Sequence, residues 1–186
     1  MLTKRLIILF AIFAAGIASA QTNIDSQRAR FYVQPSVGIA SLGKDFKSAG
    51  AVSVAAGTSW ATHHSVELDY TFFKTEPDVI NPIQDLKYTI LLATYKYTWA
   101  LRHNLSVYGG ASIGQVSQKV TPRVGYQVIG SDTERKAAFG LCGGVTYRID
   151  PHVVLDGCIK LVGLQETKFT TNGSLALIQG GVRFEF

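Results

Sequence analysis

Hydrophobic and polar residues alternate with a period of two through much of this chain. The pattern is clearest in its last residues, where Val182, Phe184 and Phe186 share one parity and Gln179, Gly181, Arg183 and Glu185 share the other. A strand turns successive side chains to opposite faces, so the run predicts a strand with one greasy and one charged face. Applied to the whole sequence, the same criterion predicts eight strands, near 30–40, 50–59, 65–74, 87–99, 105–115, 137–148, 152–162 and 175–186. The connections alternate in length. Short ones fall at 60–64, 100–104 and 149–151, and long ones at 41–49, 75–86, 116–136 and 163–174.

One parity carries Phe31, Val33, Val37 and Ile39, then Val66, Leu68, Tyr70 and Phe72, then Leu91, Ala93, Tyr95, Tyr97 and Trp99. Further on it carries Phe139, Leu141, Val145 and Tyr147, and Val153, Leu155, Ile159 and Leu161, with no charge among them. The opposite parity carries Glu67, Asp69, Lys96, Arg148, Asp156, Lys160, Arg183 and Glu185. The balance of signs implies that these charges meet one another, and a buried charge is tolerated only when paired. An eight-stranded barrel is just wide enough for side chains to fill it. Strands of about 9–11 residues cross a bilayer when tilted, and closure satisfies every backbone group in lipid. The predicted fold is therefore all-β: an eight-stranded antiparallel up-and-down barrel, membrane-spanning, with a filled and charged lumen. Short turns on one side and long loops on the other fit that architecture, with both chain ends and the tight turns in the periplasm. Trp60, Trp99, Tyr97, Tyr147, Phe184 and Phe186 fall near the periplasmic ends, and Tyr70, Phe72 and Phe139 nearer the outer ends, as two interfacial belts. Two features depart from the pattern. Pro35 sits inside the first strand, where a missing N–H requires a bulge or a locally open ladder. Leu175 and Leu177 share the parity of Arg183 yet are apolar, implying a register shift or a shared cluster near the top.

The segments Phe31-Tyr32-Val33, Ser65-Val66-Glu67-Leu68-Asp69-Tyr70, Tyr95-Lys96-Tyr97, Gly143-Gly144-Val145-Thr146-Tyr147 and Gly181-Val182-Arg183-Phe184-Glu185-Phe186 occur in an order and spacing that resembles a known group. The chain is similar to the small bacterial outer-membrane β-barrel family, the opacity-type and porin-like outer membrane proteins. The resemblance implies residence in the outer membrane of a Gram-negative type cell. It implies contact with outer-membrane lipids and lipopolysaccharide, and with the barrel-assembly machinery during biogenesis, for which Phe184 and Phe186 would be the assembly signal. An extracellular ligand is expected but not identified.

The amino terminus reads as a secretory signal. Lys4 and Arg5 precede an apolar run from Leu6 to Ala18, and Ala18-Ser19-Ala20 is a small-residue cleavage motif. The expected organisation is a signal peptide at 1–20 and one barrel domain at 21–186. Taking Lys4 and Arg5 from the 18 basic residues leaves 16 against 13 acidic ones, a net of +3, too mild to indicate nucleic acid. After the signal no apolar stretch is long enough for a transmembrane helix.

Candidate chemistry is sparse. Cys142 and Cys158 share the lumen parity and lie equally far from residue 150, so they could be opposed across a hairpin. In an oxidising periplasm the alternatives are a disulfide or two free buried thiols. His63, His64, His103 and His152 fall at or beside the short turns, without the carboxylate or cysteine spacing of a metal site. His63-His64-Ser65 with Glu67 contains the residue types of nucleophilic catalysis, but at the periplasmic end and with Ser65 facing the lumen. No cofactor and no enzymatic activity are expected. The expected role is structural or surface-interacting, in adhesion or envelope integrity, through four extracellular loops. The alternatives are a narrow non-specific pore or a lipid-modifying enzyme. The longest loop, 116–136, sets Lys119, Arg123, Arg135 and Lys136 against Asp132 and Glu134, a surface for an anionic partner such as lipopolysaccharide.

Overall fold

Alternation becomes strand throughout the described residues, each strand antiparallel to its neighbours. The structure is a computed structural model that describes residues 29–42, 48–60, 63–75, 84–124, 127–128, 132–164 and 174–186. The expected signal peptide at 1–20 lies outside them. The strands are β1 (Arg30–Ser41), β2 (Ala49–Trp60), β3 (His64–Thr75), β4 (Gln84–Ala100) and β5 (Leu105–Val124). They continue with β6 (Gln127–Val128), β7 (Asp132–Arg148), β8 (Val153–Leu164) and β9 (Ser174–Glu185). β6 is a two-residue ladder on the tip of β5, so eight strands build the wall. Sequential neighbours pair all the way round, and β9 pairs with β1 to close the sheet.

The register fixes the barrel's shape. A path from Phe31 through Thr58, Val66, Tyr95, Ala111, Leu141, Leu161 and Ala176, each directly opposed to the next, returns to β1 at Ser41. The closure offset is therefore ten residues. With strands ~4.8 Å apart and ~3.3 Å of rise per residue, a ten-residue offset over eight strands gives a tilt of about 41° and a backbone radius of about 8 Å. Such a cylinder holds side chains and little else.

The wall is inverted relative to a water-soluble barrel. Val37, Phe139, Leu141 and Ile113 are each 60% or more exposed on the outside. Glu67, Asp69, Lys96, Asp156, Lys160, Arg183 and Glu185 lie inside, at most 8% exposed. The interior is itself divided. Toward the long-loop end, Ala40, Phe73, Tyr88, Ile90, Leu92, Val162, Leu175 and Leu177 form one apolar cluster, with Phe73 and Tyr88 stacked at 4.9 Å. Leu175 opposes Val162 and Leu177 opposes Lys160 in unbroken register, so the two leucines belong to this cluster and no register shift occurs. The charged layer occupies the short-turn end.

Pro35 leaves a gap rather than a bulge. β1 keeps one register against β9 from Tyr32↔Glu185 to Ser41↔Ala176, but the ladder skips Gln34 and Pro35. On its other edge Pro35 pairs regularly with Val54.

Two expectations are corrected. The segment 116–136 is largely strand: β5 and β7 pair on from Val116↔Lys136 to Val120↔Asp132, so the hairpin continues past the wall. Its β-branched residues Val116, Val120, Thr121 and Val124 favour that extension. The Cys142–Cys158 disulfide is also corrected. Cys142 opposes Lys160 and Cys158 opposes Gly144, and both thiols are free and buried. The cause is the turn. Asp150 Oδ1 accepts hydrogen bonds from the backbone N–H of His152 at 2.7 Å and of Val153 at 2.9 Å. That side-chain turn leaves Arg148 opposite Val154, which centres the hairpin on Pro151, one residue later than equal spacing implies. The cysteines are then diagonal neighbours, where Cα separations of about 7–8 Å exceed disulfide reach.

Candidate functional site in the barrel interior

The interior charges form a closed circuit. Lys96 Nζ lies 2.7 Å from Glu67 Oε2. The same ammonium stands 4.6 Å over the ring of Tyr108, whose hydroxyl donates to Asp156 Oδ1 at 2.9 Å. Arg183 Nη2 donates to Asp156 Oδ2 at 3.2 Å, and its guanidinium lies 4.4 Å over the ring of Tyr32. The Tyr32 hydroxyl donates to Glu67 Oε2 at 3.0 Å and completes the loop. Each carboxylate thus receives one cation and one phenol, and each cation rests on the other half's ring. Charge-assisted hydrogen bonds and cation–π contacts are strongest where water is excluded.

The remaining polar groups extend this layer. Lys160 Nζ lies 2.8 Å from Asp69 Oδ2, while Thr71 Oγ1 donates to Asp69 Oδ1 at 2.7 Å. Arg183 Nε donates to Gln34 Oε1 at 3.2 Å. Glu185 sits at the short-turn mouth, 2.8 Å from Arg148 Nη1 and 3.4 Å from Arg30 Nη1. Arg148 and Arg30 are 36% and 55% exposed along their side chains, so Arg148 belongs to the rim rather than the interior circuit. Apart from Glu185, which Arg148 and Arg30 balance from the rim, three acids (Glu67, Asp69, Asp156) and three bases (Lys96, Lys160, Arg183) are buried among the described residues, and they balance.

Glycines make room for the two phenols. Tyr32 opposes Gly57, where a Cβ would meet its ring at 2.7 Å. Tyr108 opposes Gly144, where a Cβ would meet its hydroxyl at 2.5 Å. The two halves of the barrel therefore repeat one scheme on successive strands: tyrosine, glycine, acid, base. β1 to β4 supply Tyr32, Gly57, Glu67 and Lys96, and β5, β7, β8 and β9 supply Tyr108, Gly144, Asp156 and Arg183.

The structure brings together Glu67, Asp69, Lys96, Asp156, Lys160 and Arg183 from the predicted charge set, buries Glu185 at the mouth of the lumen, and leaves its partner Arg148 at the rim. Tyr32, Tyr108 and Gln34 also belong to the lumen network, beyond the charged residues that the alternation marks. A signal was present: residues 32–41 and 108–117 share Tyr-x-x-x-Ser-[Val/Ile]-Gly-x-x-Ser, a repeat carried by β1 and β5. Cys142 and Cys158 pack with Tyr108 inside the barrel. His63 and His64 belong to an outward aromatic belt at the short-turn end. His64 stacks on Trp60 at 6.1 Å and hydrogen-bonds the Tyr95 hydroxyl at 2.7 Å, His63 stacks on Tyr97 at 5.7 Å, and Tyr97 meets Trp99 edge-on at 4.8 Å. Among the described residues no group of three His, Cys, Asp or Glu gathers as a metal site. Phe184 and Phe186 also face outward, with Phe186 N–H donating to Phe31 O at 2.8 Å.

An apolar outer wall around a neutral, paired, water-excluding interior is the arrangement of a protein dissolved in lipid. The sequence model of the outer membrane protein beta-barrel domain family matches residues 8–186. The chain belongs to that family. It resides in the outer membrane, and barrels of this type carry their short turns on the periplasmic side. Solved structures agree at the level of fold. Neisserial surface protein A is 18% identical, with a TM-score of 0.66, covering 87% of this chain and 100% of its own. A major outer membrane protein from Thermus thermophilus is 15% identical, with a TM-score of 0.60, covering 86% and 100%. Ail, the attachment invasion locus protein of Yersinia pestis, is 11% identical, with a TM-score of 0.56, covering 88% and 100%. No curated protein matches the chain.

Proposed function

We propose that this outer-membrane barrel is a structural and surface-contact protein, closed to solutes and without catalysis, whose partners meet it at the four extracellular connections. The observation that carries the reading is the filled interior. The circuit from Glu67 to Tyr32 occupies the periplasmic half, and Ile90, Leu92, Phe73, Tyr88 and Leu177, each 0–1% exposed, fill the outer half. An ion entering from the periplasmic side meets paired charges and then hydrocarbon, and one entering from outside meets them in the reverse order, so the described interior offers transport no aqueous path. A rigid cylinder of this kind serves as a mount, and contact is made by its loops.

Geometry also supports a non-enzymatic reading. Ser65 is buried in the lumen, opposite Lys96, while His64 points outward into the aromatic belt. A nucleophile and base on opposite faces of one strand do not reach each other. The outward placement of Phe184 and Phe186 supports their role as the surface read by the assembly machinery.

Planar bilayers test the closed interior. The refolded protein should give no reproducible conductance steps. Steps that change size in Glu67→Gln would sink the proposal in favour of a narrow pore. On expressing cells, shortening the connection between β8 and β9 should leave a heat-modifiable barrel while abolishing whatever adhesion the intact protein confers.

A further inference from the structure

A row of lysines crosses the outer wall near its extracellular rim. Lys74 on β3 is directly opposed to Lys87 on β4, and Lys87 to Lys119 on β5. They share the outward parity of Tyr70, Leu91 and Ile113. Lys74 and Lys119 are exposed, and Lys87 is half-buried. Arg135 on β7 extends the row. It is exposed and opposes Ser117, two residues from Lys119 on the same face. Among strand residues whose side chains are described, no other Lys or Arg faces outward. None of the four has an ion-pair partner among the described residues.

Such a row needs a physical reason. Like charges directly opposed across strands repel. Strands about 4.8 Å apart set the three lysine stems within about 10 Å of one another. Lysines commonly guard sheet edges, but a closed barrel has no edge to guard. Height supplies the explanation. Lys74 stands ten residues beyond His64 on β3, and Lys87 ten residues from Tyr97 on β4, the residue opposed to His64. At a tilt of about 41°, ten residues climb about 25 Å, the height of the apolar band of an outer-membrane barrel. The ammonium groups therefore stand where acyl chains end and headgroups begin, with their stems laid along the wall.

We propose that Lys74, Lys87, Lys119 and Arg135 seat the phosphates of one outer-leaflet glycolipid, the lipid A portion of lipopolysaccharide, with its acyl chains against Phe72, Leu91 and Ile113. A bound phosphate converts mutual repulsion into shared attraction. The Thr133 hydroxyl, opposite Lys119, adds a neutral donor beside the row. The site rests on outer-membrane residence alone and is independent of the closed interior and the loops.

The test uses the refolded full-length mature protein in phosphatidylcholine vesicles doped with bisphosphorylated lipid A, dephosphorylated lipid A, or phosphatidylglycerol at matched charge. The readout is the midpoint of heat-induced unfolding by gel mobility. Lipid A should raise the midpoint of the native sequence, dephosphorylated lipid A should not, and phosphatidylglycerol should raise it less. The triple variant Lys74→Gln, Lys87→Gln, Lys119→Gln should lose the lipid A shift. In undoped vesicles it should melt about 2–4 °C higher than the native sequence, because repulsion is relieved. A variant that keeps the full lipid A shift overturns the proposal. So does an equal shift from the dephosphorylated lipid or from phosphatidylglycerol.

Discussion

Lys96→Met and Glu67→Gln, made singly and together, measure how dry the barrel interior is. The pair is separated by 2.7 Å, with the two side chains 2% and 1% exposed. Breaking one partner of a buried pair costs about 3–5 kcal/mol, because the survivor is left uncompensated. Lys96→Met also removes the cation over the Tyr108 ring, a contact worth about 0.5–2 kcal/mol, so it should sit at the upper end of that range. Glu67→Gln keeps an acceptor for the Tyr32 hydroxyl and should sit at the lower end. In the double variant Asp69 and Asp156 still balance Lys160 and Arg183, so it should fall within about 2 kcal/mol of the native sequence. The resulting coupling energy is about 3 kcal/mol or more. Equilibrium urea unfolding in phosphatidylcholine vesicles reports it through Trp60 and Trp99, the only tryptophans in the chain. A coupling below about 0.5 kcal/mol is what a solvent-screened pair gives. That result would mean a water-filled lumen, and the closed interior would have to be abandoned.

Other expectations follow from the same geometry. Gly57→Ala and Gly144→Ala should each destabilise by about 1–3 kcal/mol in the same unfolding assay, since a Cβ there overlaps Tyr32 or Tyr108. Values near zero would show that the phenols are not held in place. Arg148→Ala should cost no more than about 1 kcal/mol, because Arg148 is half-exposed and Glu185 keeps Arg30. Cys142 and Cys158 should resist alkylation until the barrel unfolds and then both react, as read by peptide mass without reduction. A linked Cys142–Cys158 peptide would refute the register between β7 and β8.

The architecture was legible because a filled eight-strand barrel writes its inside and outside into alternate residues. Glu67, Lys96 and Arg183 declare the lumen face of their strands without any tertiary information. The apolar half of the lumen was harder to read. In β4 the run Ile90-Leu91-Leu92-Ala93 is hydrophobic on both parities, so alternation vanishes where both faces are apolar, one toward lipid and one toward Leu175 and Leu177. The phenols were hidden for a related reason. Tyrosine suits a membrane interface as well as a buried ring with a satisfied hydroxyl, so residue type did not separate the two, whereas the parity of Tyr32 and Tyr108 and their pairing with Gly57 and Gly144 do. The hairpin at Pro151 was misplaced by one residue because counting from strand ends ignores the side-chain turn at Asp150. The end of β5 was misplaced because loop polarity says nothing of a hairpin that continues above the membrane.

The repetition between the two halves is inexact, and closure explains why. Opposed residues lead from Tyr32 through Gly57, Glu67 and Thr94 to Ser112, four residues beyond Tyr108. From Tyr108 they lead through Gly144, Cys158 and Gln179 to Gly38, six residues beyond Tyr32. Two identical halves would each advance five. An odd advance, however, would turn every side chain of the second half to the wrong face. A barrel with a closure offset of ten must therefore divide it unevenly. The departure falls between β7 and β8. Opposite Gly57 stands the acid, Glu67, but opposite Gly144 stands Cys158, and the acid lies two residues away at Asp156. Cys158 thus occupies the register position of a carboxylate while Asp156 does the carboxylate's work, accepting from Tyr108 and Arg183. An added acid at that position would be a fourth negative charge against three bases. Cys158→Asp should accordingly destabilise the barrel far more than Cys158→Ser in the same urea titration. Equal costs would show that the interior tolerates an unpaired charge, against the principle on which its design depends.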